Sequence, residues 1–409
     1  MRARVGQGLP REVLVLAAVA FAVAVGFGVV APAIPVFARH FGVDRRAAGA
    51  VISAFAFMRL ISALACGRLV DRVGERIVLA TGIAIVAVSS ALAGLAQSYP
   101  QLLVLRGIGG VGSAMFTVSA LSLLLRVADA DQRGRATGLW QSGFLLGTIC
   151  GPVLGGPLTA ISLRAPFFVY AVTLAAAGAI GMVFLTKAEL HDVDLEASRP
   201  AERTTLSEAV RVSGYRAALA VNLGTGWTLF GVRSALIPIL VTEGLGRSAS
   251  WTGIGLFASA AAQGAMLLWA GRYADRAGRR PAMILGSALL MAGALLLAVI
   301  ETLPTYLLAM VILGVGAAFV TVAPSATVGD VAGGRGGTIV AAFGMASDLG
   351  AVIGPLVAGQ LADSYSFGAG FAVTAAVMAV GLVAAVLSKE TRHRAGRPAA
   401  GAPATDAPA

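Results

Sequence analysis

The chain has 409 residues, of which 57% are hydrophobic and 12% charged, with a mean hydropathy of +0.85. That leaves too little polar surface for a water-soluble globule of this size, and apolar runs long enough to cross a ~30 Å hydrocarbon core recur along it. The runs lack strict alternation, which excludes a membrane β-barrel, while a formal charge of +11 raises nucleic acid as a partner.

In chain order, the hydropathy pattern predicts twelve spans at 13–36, 47–67, 77–97, 101–125, 136–160, 165–186, 215–240, 250–271, 282–302, 304–326, 337–361 and 366–388. The expected fold class is all-α and polytopic, twelve transmembrane helices in two parallel six-helix repeats. Residues 1–12 are expected as a cytoplasmic N-terminus, since the run that follows to Val36 is longer than a signal-peptide core and no cleavage site follows it. Six-helix bundles then occupy 13–186 and 214–388, joined by a polar cytoplasmic linker at 187–213. The tail at 389–409, ending AGRPAAGAPATDAPA, has the composition of disorder.

Charge placement sets the orientation. With the N-terminus inside, 23 basic residues fall in cytoplasmic segments and five (Arg39, Arg45, Arg46, Arg164 and Arg247) in outer loops. This is the positive-inside asymmetry, so the basicity reports topology and implies no nucleic-acid partner. Both termini are expected in the cytoplasm, with the chain integral to the plasma membrane and monomeric. Cys66 and Cys150 fall in spans and read as small packing residues.

The chain repeats itself at a displacement of 204 residues, which aligns Gly67-Arg-Leu-Val-Asp71-Arg72-Val-Gly74-Glu75-Arg76 with Gly271-Arg-Tyr-Ala-Asp275-Arg276-Ala-Gly278-Arg279-Arg280. At 203, Gly147, Gly151, Pro152 and Gly156 align with Gly350, Gly354, Pro355 and Gly359. A near-constant offset means a duplicated six-span unit. Six is even, so the copies insert in the same orientation, as parallel repeats about an axis along the membrane normal.

The loop Gly67-x-Leu-x-Asp71-Arg72-x-Gly74-x-Arg76 resembles the signature loop of the major facilitator superfamily. The fifth-span run Gly138-x8-Gly147-x3-Gly151-Pro152-x2-Gly155-Gly156 resembles the antiporter motif of its exporters, notably the twelve-span drug:proton antiporters. Two positions depart from the family pattern: Glu75 stands where a base is usual, and Gly109 where a glutamine is expected near Arg106. By resemblance, Asp71 lies near the N-terminus of the eleventh helix (Gly336 to Thr338) and Asp275 near that of the fifth (Gly134 to Thr137). A carboxylate there meets unpaired N–H groups and the positive dipole end. Such contacts would latch the halves on the cytoplasmic side in the outward-facing state.

Four charged residues fall deep inside spans, away from their ends: Arg59, Arg106, Arg233 and Asp348. A charge near the bilayer centre costs about 2.5 to 3.5 kcal/mol, so each needs a partner or a wet cavity. Asp348 lies ~16 Å into its span by helical rise and is the only acid so deep. It reads either as a proton carrier or as a member of a fixed ion pair, with Arg233 of the same half as partner. In the family the arginine at position 106 lines the central cavity and is linked to proton coupling. Arg59 and Arg233 read equally well as functional or structural.

For substrate, Phe27, Phe116, Trp140, Phe144, Trp227 and Phe230, with Gln141 and Asn222 as sparse polar groups, suit lipophilic or amphipathic molecules better than sugars. The alternative, that these aromatics face lipid or neighbouring helices, stands beside it. The expected function is export of such molecules against protons, with uptake of a sugar or other metabolite as runner-up. No Gly-x4-Gly-Lys-Ser/Thr loop is present, so the energy source would be a proton gradient without cofactor. An enzyme is not expected, nor a metal site: His40, His191 and His393 all fall in loops or tail. The proline and glycines of the fifth span read as a bent, close-packed seam between the halves.

Overall fold

In hydrocarbon each backbone N–H and C=O must be paired within its own segment, so runs of this composition close into helices. A computed structural model of the protein describes residues 10–127, 133–184, 205–299, 302–332 and 337–391. Among these residues there is no strand, and twelve helices are long and apolar enough to cross a membrane.

The first half holds α1 (Arg11–His40), α2 (Arg45–Val73), α3 (Glu75–Gly94), α4 (Tyr99–Val127), α5 (Arg133–Ile161) and α6 (Ala165–Phe184). The second holds α7 (Ser213–Gly244), α8 (Ser250–Arg276), α9 (Arg279–Val299), α10 (Leu303–Ala332), α11 (Gly337–Ser364) and α12 (Phe367–Leu387). Each hydropathy span thus has its helix. A short helix, Leu206–Arg211, precedes α7 in the part of the linker that is described. Thr205 and Glu208 close a capping box on it, and the N–H of Thr205 holds the Glu208 carboxyl below its ordinary value.

Packing repeats with the sequence. In the first half α1 lies against α5 and α6, α4 against α2 and α3, and α3 against α6. In the second, α7 lies against α11 and α12, α10 against α8 and α9, and α9 against α12. Between halves, α2 meets α11 and α5 meets α8. The face on which α1 begins and α12 ends is called terminal below, and the opposite face distal.

Two spans depart from regular helix. α1 is interrupted at Ala31 and Pro32, between Arg11–Val30 and Ala33–His40. α7 contains two π-helical segments, Gly226–Val232 and Leu240–Gly244. Wider turns of this kind inside an α-helix shift the register of every side chain that follows. They frequently mark functional sites.

Candidate functional site

Small residues decide how closely the halves approach. A Cβ on Gly49 of α2 would lie 2.7 Å from the Pro355 carbonyl oxygen of α11, and one on Gly253 of α8 would lie 2.5 Å from that of Pro152 on α5. These four positions are related by the repeat. The same holds one turn further out, where Gly359 meets Arg45 and Arg46, and Gly156 meets Ser250 and Gly253. Toward the terminal face this contact is lost: a Cβ on Gly67, Gly271, Gly329 or Gly344 would meet nothing within 4 Å. Among the described residues the halves are therefore closely packed from the distal face to mid-depth, and these glycines show no such contact below it.

Polar contacts follow the α2–α11 seam. On it Ser53 donates to the Val352 carbonyl at 2.6 Å. At mid-depth, where the close packing ends, Arg59 Nη2 forms an ion pair with Asp348 Oδ1, and the two side chains keep 35% and 20% of their exposure. On the distal side Arg39 of α1 makes two bonds to Glu243 of α7, at 2.6 and 3.1 Å. Arg39 and Glu243 are themselves 204 residues apart, equivalent positions of the two copies.

The partner of Asp348 corrects the expectation of Arg233. Arg233 sits in the interior of its own half, donating to Ser259 at 3.2 Å, with its Nε lacking a partner. Arg106, by resemblance a lining residue of the central cavity, is instead only 2% exposed, with its guanidinium 4.6 Å above the Phe55 ring of α2. Phe55 and Ser259 are equivalent positions. Each half thus buries one arginine against the same site on its second helix, brought from α4 in one copy and from α7 in the other.

The expected lining is also divided. Asn222 donates to the Phe343 carbonyl at 2.6 Å and Trp227 Nε1 to Thr374 at 3.2 Å, so both bolt α7 to neighbours within its half. Phe27 packs edge-on against Tyr170. Trp140, Phe144 and Phe116 form one aromatic cluster, with centroids 5.0 and 6.2 Å apart, and Trp140 Nε1 has no partner. Gln141 and Phe230 are exposed.

The motif glycines of α5 do two jobs, which corrects the single seam read from sequence. Gly147, Gly151 and Gly155 pack against α1 of their own half, a Cβ on Gly151 coming 2.6 Å from both the Gly28 Cα and the Val25 oxygen. Among the motif glycines whose surroundings are described, Gly156, turned about 100° from Gly155 by one helical step, is the one that faces the other half. Pro152 lies inside the helix. Gly138 lies in α5, but its surroundings fall outside the described residues.

In the signature loops, Gly74 (φ 92°) and Gly278 (φ 116°) hold left-handed turns that a side chain would strain. Gly67 and Asp71 lie in α2, and Gly271 and Arg276 in α8. Arg72 is exposed; Arg76 donates to the Met182 carbonyl at 2.9 Å and Arg280 to the equivalent Val386 carbonyl at 2.6 Å. Glu75, the departure from the family pattern, pairs with Arg126 at 3.0 Å, whereas its counterpart Arg279 pairs with Asp330 at 3.2 Å. The link between third and fourth helices of each copy is the same, with its charges exchanged. Among the described residues Asp275 pairs with Arg279 of its own loop, its side chain 70% exposed, and the side chains at 133–135 and 137, where α5 begins, lie outside the described residues. The expected Asp71 latch lies outside the described residues, since both the Asp71 side chain and the surroundings of Gly336 to Thr338 are among those left undescribed.

Among the described residues no cluster of metal-ligating side chains occurs. A family model described as Major Facilitator Superfamily matches residues 16–235 and 219–408. Multidrug resistance protein 1 of Bacillus subtilis is 24% identical over 376 residues, 90% of this chain and 94% of that protein. Quinolone resistance protein NorA of Staphylococcus aureus is 26% identical over 184 residues, 44% of this chain and 46% of that one. Among solved structures, the nucleoside transporter NupG superposes with a TM-score of 0.73 at 15% identity, over 92% of this chain and 99% of that one.

Proposed function

The chain belongs to the major facilitator superfamily, and from that premise we propose that it exports small lipophilic or amphipathic molecules in exchange for protons, by alternating access. The names of the two resistance proteins support export of drug-like compounds. The observation that carries the coupling is the Arg59–Asp348 pair, the one place among the described residues where a titratable acid joins the two halves at mid-depth.

In this reading the terminal face is cytoplasmic and the open side of the structure receives substrate from the cytoplasm or the inner leaflet. With the distal face closed, ionised Asp348 is neutralised by Arg59. When the distal face opens, a proton from outside neutralises the carboxyl instead, and the bond across the α2–α11 seam is lost. Return to the terminal-open state exposes the protonated group to a less acidic side, where it releases its proton and re-forms the pair. Arg106 is enclosed within its half and is assigned to hold α2 against α4. The carrier works as a monomer in the plasma membrane with both termini cytoplasmic, needing no cofactor beyond the gradient.

The test is a panel of lipophilic compounds on everted vesicles energised by a pH gradient. Addition of a transported compound should release protons from the vesicle interior. Accumulation of compound with no proton movement sinks the exchange, and absence of movement for every compound sinks drug export.

A further inference from the structure

We propose that Asp363, at the distal end of α11, is a gate residue that closes the distal face by binding the N-terminus of α2. The first amides of a helix have no partner inside it. Those of Arg45 and Arg46, at the start of α2, donate across the halves to the two carboxylate oxygens of Asp363, at 3.0 and 2.8 Å. The reciprocal need is met as well. The last carbonyls of α11 lack partners, and the Arg45 guanidinium donates to that of Ala362 at 2.8 Å. Arg46 adds a bond to Gln360 at 2.9 Å. A carboxylate at a helix start also faces the positive end of its dipole.

Two features separate this contact from ordinary packing. It belongs to one seam: the repeat counterparts of Asp363, Arg45 and Arg46 are Ala160, Ala249 and Ser250, so the α5–α8 seam closes there on Gly156 and Gly253 with no acid in place. It also lies at the distal end of two antiparallel helices, α2 and α11, of 29 and 28 residues, whose Arg59–Asp348 pair sits at mid-depth. Halves that rock about mid-depth close one end only by opening the other. Asp363 holds the distal end in this structure, which makes its bond one that must break before the distal face opens.

The inference rests on the alternating-access reading and is tested by distance measurement. Spin labels go on the full chain at His40→Cys and Ser248→Cys, both exposed on the distal face, in a Cys66→Ala, Cys150→Ala background. The parent protein is expected to show chiefly the short separation. Asp363→Ala should raise the ratio of long to short populations about tenfold, a shift of one decade in the equilibrium, with Asp363→Asn intermediate and Asp363→Glu close to the parent. Ser250→Ala, at the position equivalent to Arg46, should leave the ratio unchanged. Unaltered distances in both Asp363→Ala and the conservative Asp363→Asn, in a protein whose distances respond to Asp348→Asn or to an added transported compound, overturn the gate. Distances that respond to none of these overturn alternating access itself.

Discussion

Arg59 of α2 and Asp348 of α11 form an ion pair between the two halves at mid-depth, where their repeat counterparts are Gln263 and Leu145. The charge therefore sits on one seam of a symmetric frame. Removing the acid leaves an amide that Arg59 can still reach, so Asp348→Asn should insert at a normal level yet lose export driven by a pH gradient. Removing the base is worse for the fold, because it strands a charge in a partly buried site; Arg59→Met should cost about 1 to 3 kcal/mol, less than a fully buried pair would. The double variant Arg59→Met, Asp348→Asn should recover most of that loss without recovering coupling. Melting temperatures in detergent and proton release from everted vesicles measure the two effects separately. Equal melting of Arg59→Met and the double variant would mean that the pair carries no weight in the resting state.

The division of labour along α5 makes two glycines experimentally distinct. Gly151 packs α5 on α1, so Gly151→Leu should impair assembly of the first half, seen as low membrane level and early melting; overpacking of this kind costs about 1 to 3 kcal/mol. Gly156 meets Gly253 across the halves, with 2.8 Å left for a Cβ. Gly156→Leu should insert normally and fail to close the distal face, giving leak of protons or a dye that the parent protein excludes. A Gly151→Leu protein that assembles normally but leaks would return that residue to the seam between halves.

Gly226 begins the first π-helical segment of α7 and abuts Ser347, the residue before Asp348; a Cβ there would collide with the Ser347 carbonyl oxygen. Gly226→Ala should therefore displace α11 where it carries the coupling acid. The expected phenotype is a protein that inserts, melts earlier and transports with a weakened dependence on the pH gradient. Normal coupling in a protein of normal stability would show that α7 yields at this point without moving α11.

Span number and the two-copy frame are legible in the sequence because hydropathy reports depth and a constant offset reports symmetry. Angular placement is not. Asp348 and three arginines share the bilayer interior, and depth alone does not say that Arg59 faces the acid while Arg233 turns into its own half. Trp227 and Asn222 read as lining residues by type alone, and type does not say that they bond to Thr374 and to the Phe343 carbonyl within their own half. The glycines of α5 read as one face because four-residue spacing dominates the eye, whereas adjacent Gly155 and Gly156 point to different neighbours. Asp363 does leave a trace: an acid at the end of one repeat stands against Ala160 in the other.

The exchanged charges of the two signature loops give the last prediction. Glu75 pairs with Arg126 and accepts from Ser122 at 3.3 Å, while the equivalent Arg279 pairs with Asp330. If the family's base at position 75 mattered by itself, Glu75→Arg would improve the first copy. The structure argues the reverse, because an arginine at position 75 would face Arg126 in a partly buried corner between α3 and α4. Glu75→Arg should destabilise by about 1 kcal/mol, the upper range for a pair with one exposed member. Adding Arg126→Asp restores the polarity found in the second copy and should restore stability and transport together. A double-mutant cycle on melting temperature, run at low and high salt, measures the coupling; its disappearance at high salt is expected from screening. Additive losses in the double variant would show that position 75 acts through something other than Arg126.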